Sequence, residues 1–141
     1  MPTEYDIIIK LHPNEGALRK CYSHINERLH CFFNELVDIQ ELYLISECII
    51  TDYSSTIFDY AHLNKPIILL QEDEELYQKE TGYYFNIFDY GSFTIGSKNE
   101  ELLAQQIVEH ESVDYSRLIN LLMTYDSTDR CEKILKEIFE I

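Results

Sequence analysis

The stretch CIITDYSSTIFDYAHLNKPIILL, residues 48–70, decides the fold of this chain. It begins with an apolar run, continues through a hydroxyl-rich turn and an amphipathic segment, and ends in a second apolar run. This order predicts a strand, a turn, a helix and a second strand. Phosphorylated ligands bind open α/β sheets at such turns, because free backbone N–H groups at the start of the helix meet an anion there.

The rest of the sequence continues this alternation of strands and helices. Apolar runs predict a strand over residues 5–11 and a short one over residues 35–39, in addition to the strands at 48–51 and 67–70. Apolar spacing predicts helices over residues 17–34, 40–46, 55–64, 73–80, 98–109, 113–125 and 128–139. The aromatic segment 83–96 is expected to be irregular. The pattern predicts one doubly wound parallel sheet, a Rossmann-like α/β fold, in a single domain over residues 1–141.

Composition excludes several classes of partner. The chain has 141 residues, 11 basic and 26 acidic side chains and a net charge of −15. Such an acidic chain is a poor ligand for nucleic acid and does not dock by itself on an anionic membrane. The N-terminal residues lack the basic region of a signal peptide, and no apolar run reaches membrane-spanning length, so we expect a cytoplasmic protein.

Four cysteines are present, and their spacing matches no metal site. Cys21, Cys31, Cys48 and Cys131 form no CxxC pair, which favours reduced structural thiols. The sequence also contains no GxGxxG, P-loop, HExxH or GxSxG motif. We therefore expect no metal-binding cluster of side chains and no cofactor, while metal dependence of a reaction stays open.

The hydroxyl-rich turn is the first candidate site. Asp52, Ser54 and Ser55 follow the predicted strand, with Thr56 directly after them and Asp59 one helical turn beyond Ser55. One interpretation is a plain helix cap made by Ser54 or Ser55. The other is a phosphate site in which both serine hydroxyls hold a pyrophosphate, with Asp52, Thr56 and Asp59 in supporting positions.

His12 is the second candidate, in the string KLHPN at the end of the first predicted strand. The carboxyl ends of parallel strands lie at one edge of a sheet, so we expect His12 near the TDYSS turn. A histidine there can donate to a phosphate oxygen or act as a general acid. The alternative is a turn histidine that is hydrogen-bonded to backbone.

Three strings resemble one enzyme family. KLHPN, then CIITDYSSTIFDYAHLNKPIILL, then EELYQKETGYYF are similar, in order and spacing, to the C-terminal half of the CDP-glycerol glycerophosphotransferases. These enzymes are the teichoic acid primases and polymerases. The C-terminal string YDSTDRCEKIL loosely resembles the closing segment of the family.

The resemblance implies a GT-B architecture, in which the C-terminal domain binds the nucleotide donor. The family transfers glycerol phosphate from CDP-glycerol to a polymer hydroxyl and releases CMP. His12 would then match a functional histidine, Ser54 and Ser55 the donor-phosphate contacts, and Asp52 a motif position of unassigned role. The N-terminal GT-B half, which carries the acceptor site, is expected as the partner domain, and membrane contact is expected only through the intact enzyme.

Two other functions stay open at this point. One is the donor domain of a GT-B glycosyltransferase that uses a nucleotide sugar. The other is a catalytically silent interaction domain, whose exposed apolar face would favour self-association as a homo-oligomer. Without the partner domain, the chain is expected to bind nucleotide weakly and to catalyse little.

Overall fold

The computed structural model describes residues 5–12, 15, 17, 19–22, 26–33, 37–110 and 112–139. Strands and helices alternate along this part of the chain, with a short 3-10 turn at Ile87–Asp89. The strands are β1 (Ile7–Lys10), β2 (Leu29–Phe32), β3 (Ile49–Thr51), β4 (Ile67–Leu69) and β5 (Thr94–Ile95). The helices are α1 (Arg19–Tyr22), α2 (Ile39–Ile45), α3 (Thr56–Ala61), α4 (Glu74–Glu80), α5 (Glu100–Val108), α6 (Ser116–Leu122) and α7 (Arg130–Phe139).

All strand pairs in the described part of the chain are parallel. β1 pairs with β2, with Ile7 opposite Leu29. β4 lies between β3 and β5 in a second group, with Ile49 opposite Ile67 and Leu69 opposite Ile95. Parallel strands flanked by helices confirm the predicted Rossmann-like α/β fold, with the strands hydrogen-bonded in two groups.

The core is built around β4. Ile67, Ile68 and Leu69 are 0–1% exposed, as expected for the central strand of a parallel sheet covered on both faces. Side chains of α3 and α6 complete this core, and four of them are fully buried: Tyr60, Ala61, Tyr115 and Leu118. The core thus lies directly beneath the turn that joins β3 to α3.

The predicted helix over residues 17–34 is wrong in its second half. The described helical part is Arg19–Tyr22, and Leu29–Phe32 forms β2 instead. The Asn26 side chain accepts a hydrogen bond from the Arg28 backbone N–H (3.0 Å), and the Arg28 guanidinium bonds Asp6 beside β1 (3.1 Å). This turn places Leu29–Phe32 beside β1. Backbone hydrogen bonds with β1 then stabilise a strand, although the apolar residues of the segment are also spaced as in a helix.

Two other predictions also differ from the structure. The strand expected over residues 35–39 is absent from its described part, because Asp38 caps α2 by accepting from the Gln40 N–H (2.9 Å). Residues 35 and 36 lie outside the described residues. In the segment expected to be irregular, Thr94–Ile95 forms β5, which is too short to show an alternating pattern.

The helices predicted after residue 39 are confirmed. In α2, Tyr43 is buried whereas Ile45 is 69% exposed. In α3, Ile57, Tyr60 and Ala61 are buried.

Lys65, in the NKPI string, fixes α2 to the start of β4. Its ammonium group donates to the carbonyl oxygens of Leu44 (2.8 Å) and Ser46 (2.6 Å), and more weakly to that of Tyr43 (3.4 Å). Carbonyls at a helix C-terminus lack intrahelical partners, so a cation there satisfies them and complements the helix dipole.

We expect Lys65→Met to lower the free energy of unfolding by about 1–3 kcal/mol, because methionine keeps the stem but removes the charged donor that these carbonyls share. Urea denaturation measures the change. Lys79→Met, at an exposed position of α4, is the matched control and should have little effect. Equal stabilities of the two variants would contradict this role of Lys65.

Tyr115 connects α6 to the central strand. Its phenol accepts a hydrogen bond from the buried Ile67 N–H (3.1 Å) and donates to the Ser92 carbonyl (3.3 Å). Burial raises the pKa of Tyr115 to about 12. The phenol is therefore a neutral partner inside the core, where an unpaired N–H is costly.

Tyr115→Phe should lower the free energy of unfolding by about 1–3 kcal/mol, because the Ile67 N–H loses its acceptor while the ring still packs. The control is Tyr125→Phe, since Tyr125 is 91% exposed. Thermal or urea unfolding of both variants gives the comparison. A Tyr115→Phe variant as stable as the control would show that this hydrogen bond contributes nothing net.

Candidate functional site

The TDYSS turn leaves the carboxyl end of the buried β3–β4 pair. Thr51 is the last residue of β3, and its carbonyl accepts from the Leu70 N–H (2.8 Å) just beyond β4. The chain then bends at Asp52 and Tyr53, and α3 begins at Thr56. The turn is thus held at the sheet edge by backbone hydrogen bonds that do not involve its own hydroxyl groups.

The two serines of this turn have different surroundings. Ser54 Oγ accepts from the Thr56 backbone N–H (3.3 Å), so Ser54 makes the local capping contact. Ser55 occupies the N-cap position of α3, yet its side chain makes no capping hydrogen bond and is exposed. The plain capping interpretation therefore accounts for the Ser54 hydroxyl and leaves the Ser55 hydroxyl unexplained.

The three supporting residues are arranged less favourably than expected. Asp52 is exposed at the bend, whereas the Thr56 hydroxyl is buried and makes no hydrogen bond of good geometry, with Tyr43 as its polar neighbour. Asp59 receives no hydrogen bond from Ser55 in the described structure. It instead lines a cavity of about 610 Å³ between α2, α3 and the start of α7. Burial raises the pKa of Tyr43, and the Asp59 charge adds to that effect.

His12 follows β1, as predicted, and its side chain is exposed. Its backbone carbonyl accepts from the Glu15 N–H (2.9 Å), while Pro13 and Asn14 lie outside the described residues. β1 belongs to the two-stranded group and β3 to the three-stranded group. Ser54 and Ser55 lie together because they are consecutive in the turn, and strand pairing in the described structure does not connect His12 to them.

A cluster of tyrosines beside the turn was missed in the sequence analysis. The Tyr53 ring stacks on Tyr77 of α4 with a centroid distance of 3.6 Å and an interplanar angle of 9°. Its phenol donates to Asp73 Oδ1 (3.0 Å), and Tyr83 lies 6.1 Å away, centroid to centroid. Burial, with a further contribution from Asp73, raises the pKa of Tyr53 well above its usual value. The central tyrosine of TDYSS was the signal that could have revealed this contact.

A cavity of about 810 Å³ opens at the carboxyl ends of β4 and β5, next to this cluster. Its lining combines the segment after β4, the first turn of α4 and the end of β5, and includes Leu70, Glu72, Asp73, Leu76, Phe88, Gly96 and Lys98. A Cβ atom on Gly96 would approach Leu69 O to 3.2 Å, so glycine lets this wall lie close to β4. The size and mixed lining suit a nucleoside-sized ligand.

Carboxylates outnumber cations around this cavity. Its lining holds four carboxylates, Glu72, Asp73, Glu74 and Glu75, and two cations, Lys79 and Lys98. Lys98 donates to the Glu72 carbonyl (2.9 Å), which fixes its position at the rim. The cavity is therefore better suited to the neutral part of a ligand than to its phosphates.

The C-terminal string YDSTDRCEKIL lies against the other end of α3. Asp126 forms ion pairs with His62 of that helix end (3.3 Å) and with Arg130 of α7. Its hydrogen bond with His62, and a second one with Arg130, lower the pKa of Asp126. The contacts of this string therefore lie away from the TDYSS turn, at the opposite end of the same helix.

The described part of the chain offers neither a metal-ligand cluster nor a membrane-spanning helix. Residues 5–12, 26–33, 37–110 and 112–139, with the shorter described pieces between them, contain no group of three His, Cys, Asp or Glu side chains arranged for a metal. Within the same residues, no helix is long and apolar enough to cross a bilayer. The four cysteines are free thiols, and burial raises the pKa of Cys48.

Comparison with known proteins gives consistent matches. Residues 1–140 match the family described as CDP-Glycerol:Poly(glycerophosphate) glycerophosphotransferase. A teichoic acid ribitol-phosphate primase of Bacillus spizizenii is 34% identical over 127 residues, which are 86% of this chain and 30% of that protein. A teichoic acid poly(glycerol phosphate) polymerase of Bacillus subtilis is 32% identical over 115 residues, 77% of this chain and 15% of that protein.

A solved structure gives the same result. A variant of the wall teichoic acid polymerase TagF, soaked with CDPG, superposes with a TM-score of 0.64 at 27% identity. The match covers 96% of this chain and 34% of that one, so the chain spans about a third or less of these relatives. Because the family match extends over nearly all of the sequence, the chain belongs to the CDP-glycerol:poly(glycerophosphate) glycerophosphotransferase family.

Proposed function

We propose that this chain is the donor-binding domain of an enzyme that transfers an alditol phosphate from a CDP-activated donor to a polymer hydroxyl, with release of CMP. One observation carries the proposal: in this member of the family, the Ser55 hydroxyl of the TDYSS turn is exposed and makes no capping hydrogen bond. The relative whose structure was soaked with CDPG supports a CDP-linked donor.

The donor phosphates bind at the serines in this proposal. Ser54 and Ser55 hydroxyls donate to the phosphate oxygens, and such charge-assisted hydrogen bonds are stronger than neutral ones. α3 has six residues, so its dipole is a minor contribution and the hydroxyls carry the binding. The nucleoside then extends toward the cavity beyond β4 and β5, whose acidic lining suits hydroxyl and amino groups.

His12 acts at the departing nucleotide. In a phosphoryl transfer, negative charge develops on the leaving CMP phosphate, and an imidazolium that donates a proton there lowers the barrier. This role requires His12 and Ser54 to face one donor molecule across the two groups of strands. It also requires an acceptor-binding domain, because both substrates must meet in one cleft. We place the reaction at the cytoplasmic face of the membrane, where the intact enzyme meets its polymer.

Replacing both serines, as Ser54→Ala/Ser55→Ala, should weaken CDP binding more than tenfold, which corresponds to about 1.4 kcal/mol. The physical reason is the loss of two hydroxyl donors to the diphosphate. Calorimetric titration with CDP and UDP measures the affinities. The matched control is Ser112→Ala, an exposed serine outside the turn, which should bind CDP like the wild type.

The single variants separate the two serines. We expect Ser55→Ala to lose most of the affinity without loss of stability, since its hydroxyl makes no capping bond. If the double variant binds CDP as tightly as Ser112→Ala, the serines are not the phosphate contacts. A UDP affinity equal to that for CDP would favour a donor other than a cytidine nucleotide.

His12→Ala should lower the rate of CMP release from CDP-glycerol by about 10²–10⁴-fold while CDP affinity changes little, because a general acid acts mainly in the transition state. The rate is measured by chromatography of CMP in a protein that joins this domain to an acceptor-binding domain. His110→Ala, exposed beyond α5, is the control. Equal rates in the two variants would remove His12 from catalysis.

Exposed apolar side chains favour one other candidate, a silent interaction domain. In α7, Ile134, Leu135, Ile138 and Phe139 are 50–65% exposed on a strongly amphipathic helix. No CDP binding by the wild type, together with self-association in sedimentation equilibrium, would support this candidate over the transferase. Nucleotide binding by a monomer would exclude it.

A further inference from the structure

Tyr53 lies inside the TDYSS turn, yet its side chain is engaged with a different element. The ring stacks on Tyr77 of α4 at 3.6 Å, and the hydroxyl donates to Asp73 Oδ1 at 3.0 Å. Tyr53 directly precedes Ser54. One side chain therefore connects the proposed phosphate site to the first turn of α4, which lines the larger cavity.

The Asp73 carboxylate is diverted from its usual role. Asp73 stands at the N-cap position of α4, where an aspartate normally accepts from the N–H groups of its own helix. Its side chain makes no such capping bond. Within α4, Asp73 accepts through its backbone carbonyl, from the Tyr77 N–H (2.9 Å). The carboxylate is bonded to the Tyr53 phenol instead.

This contact has an electrostatic consequence. The chain carries a net charge of −15, and Asp73, Glu74 and Glu75 stand together at the start of α4. A carboxylate released from its partner can turn toward a phosphate bound at the neighbouring serines and repel it. A carboxylate held by a phenol remains in a fixed position.

We propose that Tyr53 is a positioning residue for donor binding: by holding the Asp73 carboxylate, it keeps this charge away from the phosphates at Ser54 and Ser55. The inference rests on the proposed function, since it assigns a role within the same site. The Tyr53–Tyr77 stack supplies the rigid support, because two parallel rings in contact fix the direction of the phenol.

The test compares ligands with and without phosphate. Tyr53→Phe keeps the stacked ring and removes the hydroxyl, and Tyr84→Phe is the control, since Tyr84 is fully exposed in the same region. NMR titration of the full chain with CDP and with cytidine measures both affinities. We expect Tyr53→Phe to weaken CDP binding three- to tenfold and to change cytidine binding less than twofold.

A second substitution tests the charge directly. Asp73→Asn removes the negative charge but keeps an oxygen that can accept from the phenol, so alone it should bind CDP at least as tightly as the wild type. In the Tyr53→Phe background it should restore CDP affinity to within twofold of the wild type. Failure of this rescue would overturn the inference.

The remaining outcomes separate the inference from the proposed function. If the wild type binds no CDP, the proposed function fails and the role of Tyr53 fails with it, and the wild-type titration alone shows this. If the wild type binds CDP but Tyr53→Phe behaves like Tyr84→Phe, only the inference is overturned. The same holds if CDP and cytidine affinities fall equally, because that result indicates a general structural effect.

Discussion

Burial of β4 on both faces is the constraint on which the rest of this structure depends. Ile67, Ile68 and Leu69 are almost fully excluded from solvent, and β3 and β5 both pair with them. Since the strands are parallel, each must return through a crossover connection, and α3 is the crossover between β3 and β4. The TDYSS turn is the beginning of that crossover. Its position at the sheet edge therefore follows from the pairing of β3 with β4.

The two adjacent serines of the TDYSS turn differ in whether their hydroxyl caps α3. The Thr56 N–H at the start of α3 needs an acceptor, and Ser54 supplies it through its hydroxyl oxygen. The oxygen of a hydroxyl that accepts still has its hydrogen to donate, so Ser54 can cap and contact an anion together. The Ser55 side chain makes no capping hydrogen bond and is exposed. The second serine therefore adds a hydroxyl donor whose orientation no capping hydrogen bond restricts.

The sequence predicts the positions of most helices and strands well, but it predicts contacts between residues distant in the sequence poorly. Residues 48–70 combine two apolar runs with a proline directly before the second one, so β3, α3 and β4 could be located with nearly correct bounds. β2 was missed because its apolar residues also fit a helical stripe, and pairing with β1 decided between the two. The Tyr53–Asp73 contact joins residues 20 positions apart. No local pattern encodes such a contact: Tyr53 stands in a string that resembles the family, whereas Asp73 lies just before the next one.

An acidic domain can bind an anion when its own carboxylates are paired or held away from the site. Several contacts in the structure do this. Asp126 is paired with His62 and Arg130 at the far end of α3, so this charge is compensated away from the serines. Lys98 is fixed at the cavity rim by the Glu72 carbonyl, and Asp73 is bonded to a phenol. What decides anion binding is then the local arrangement of donors rather than the net charge, since charges beyond a Debye length of about 8 Å are largely screened. In that respect a net charge of −15 is compatible with a diphosphate site whose donors are hydroxyl groups.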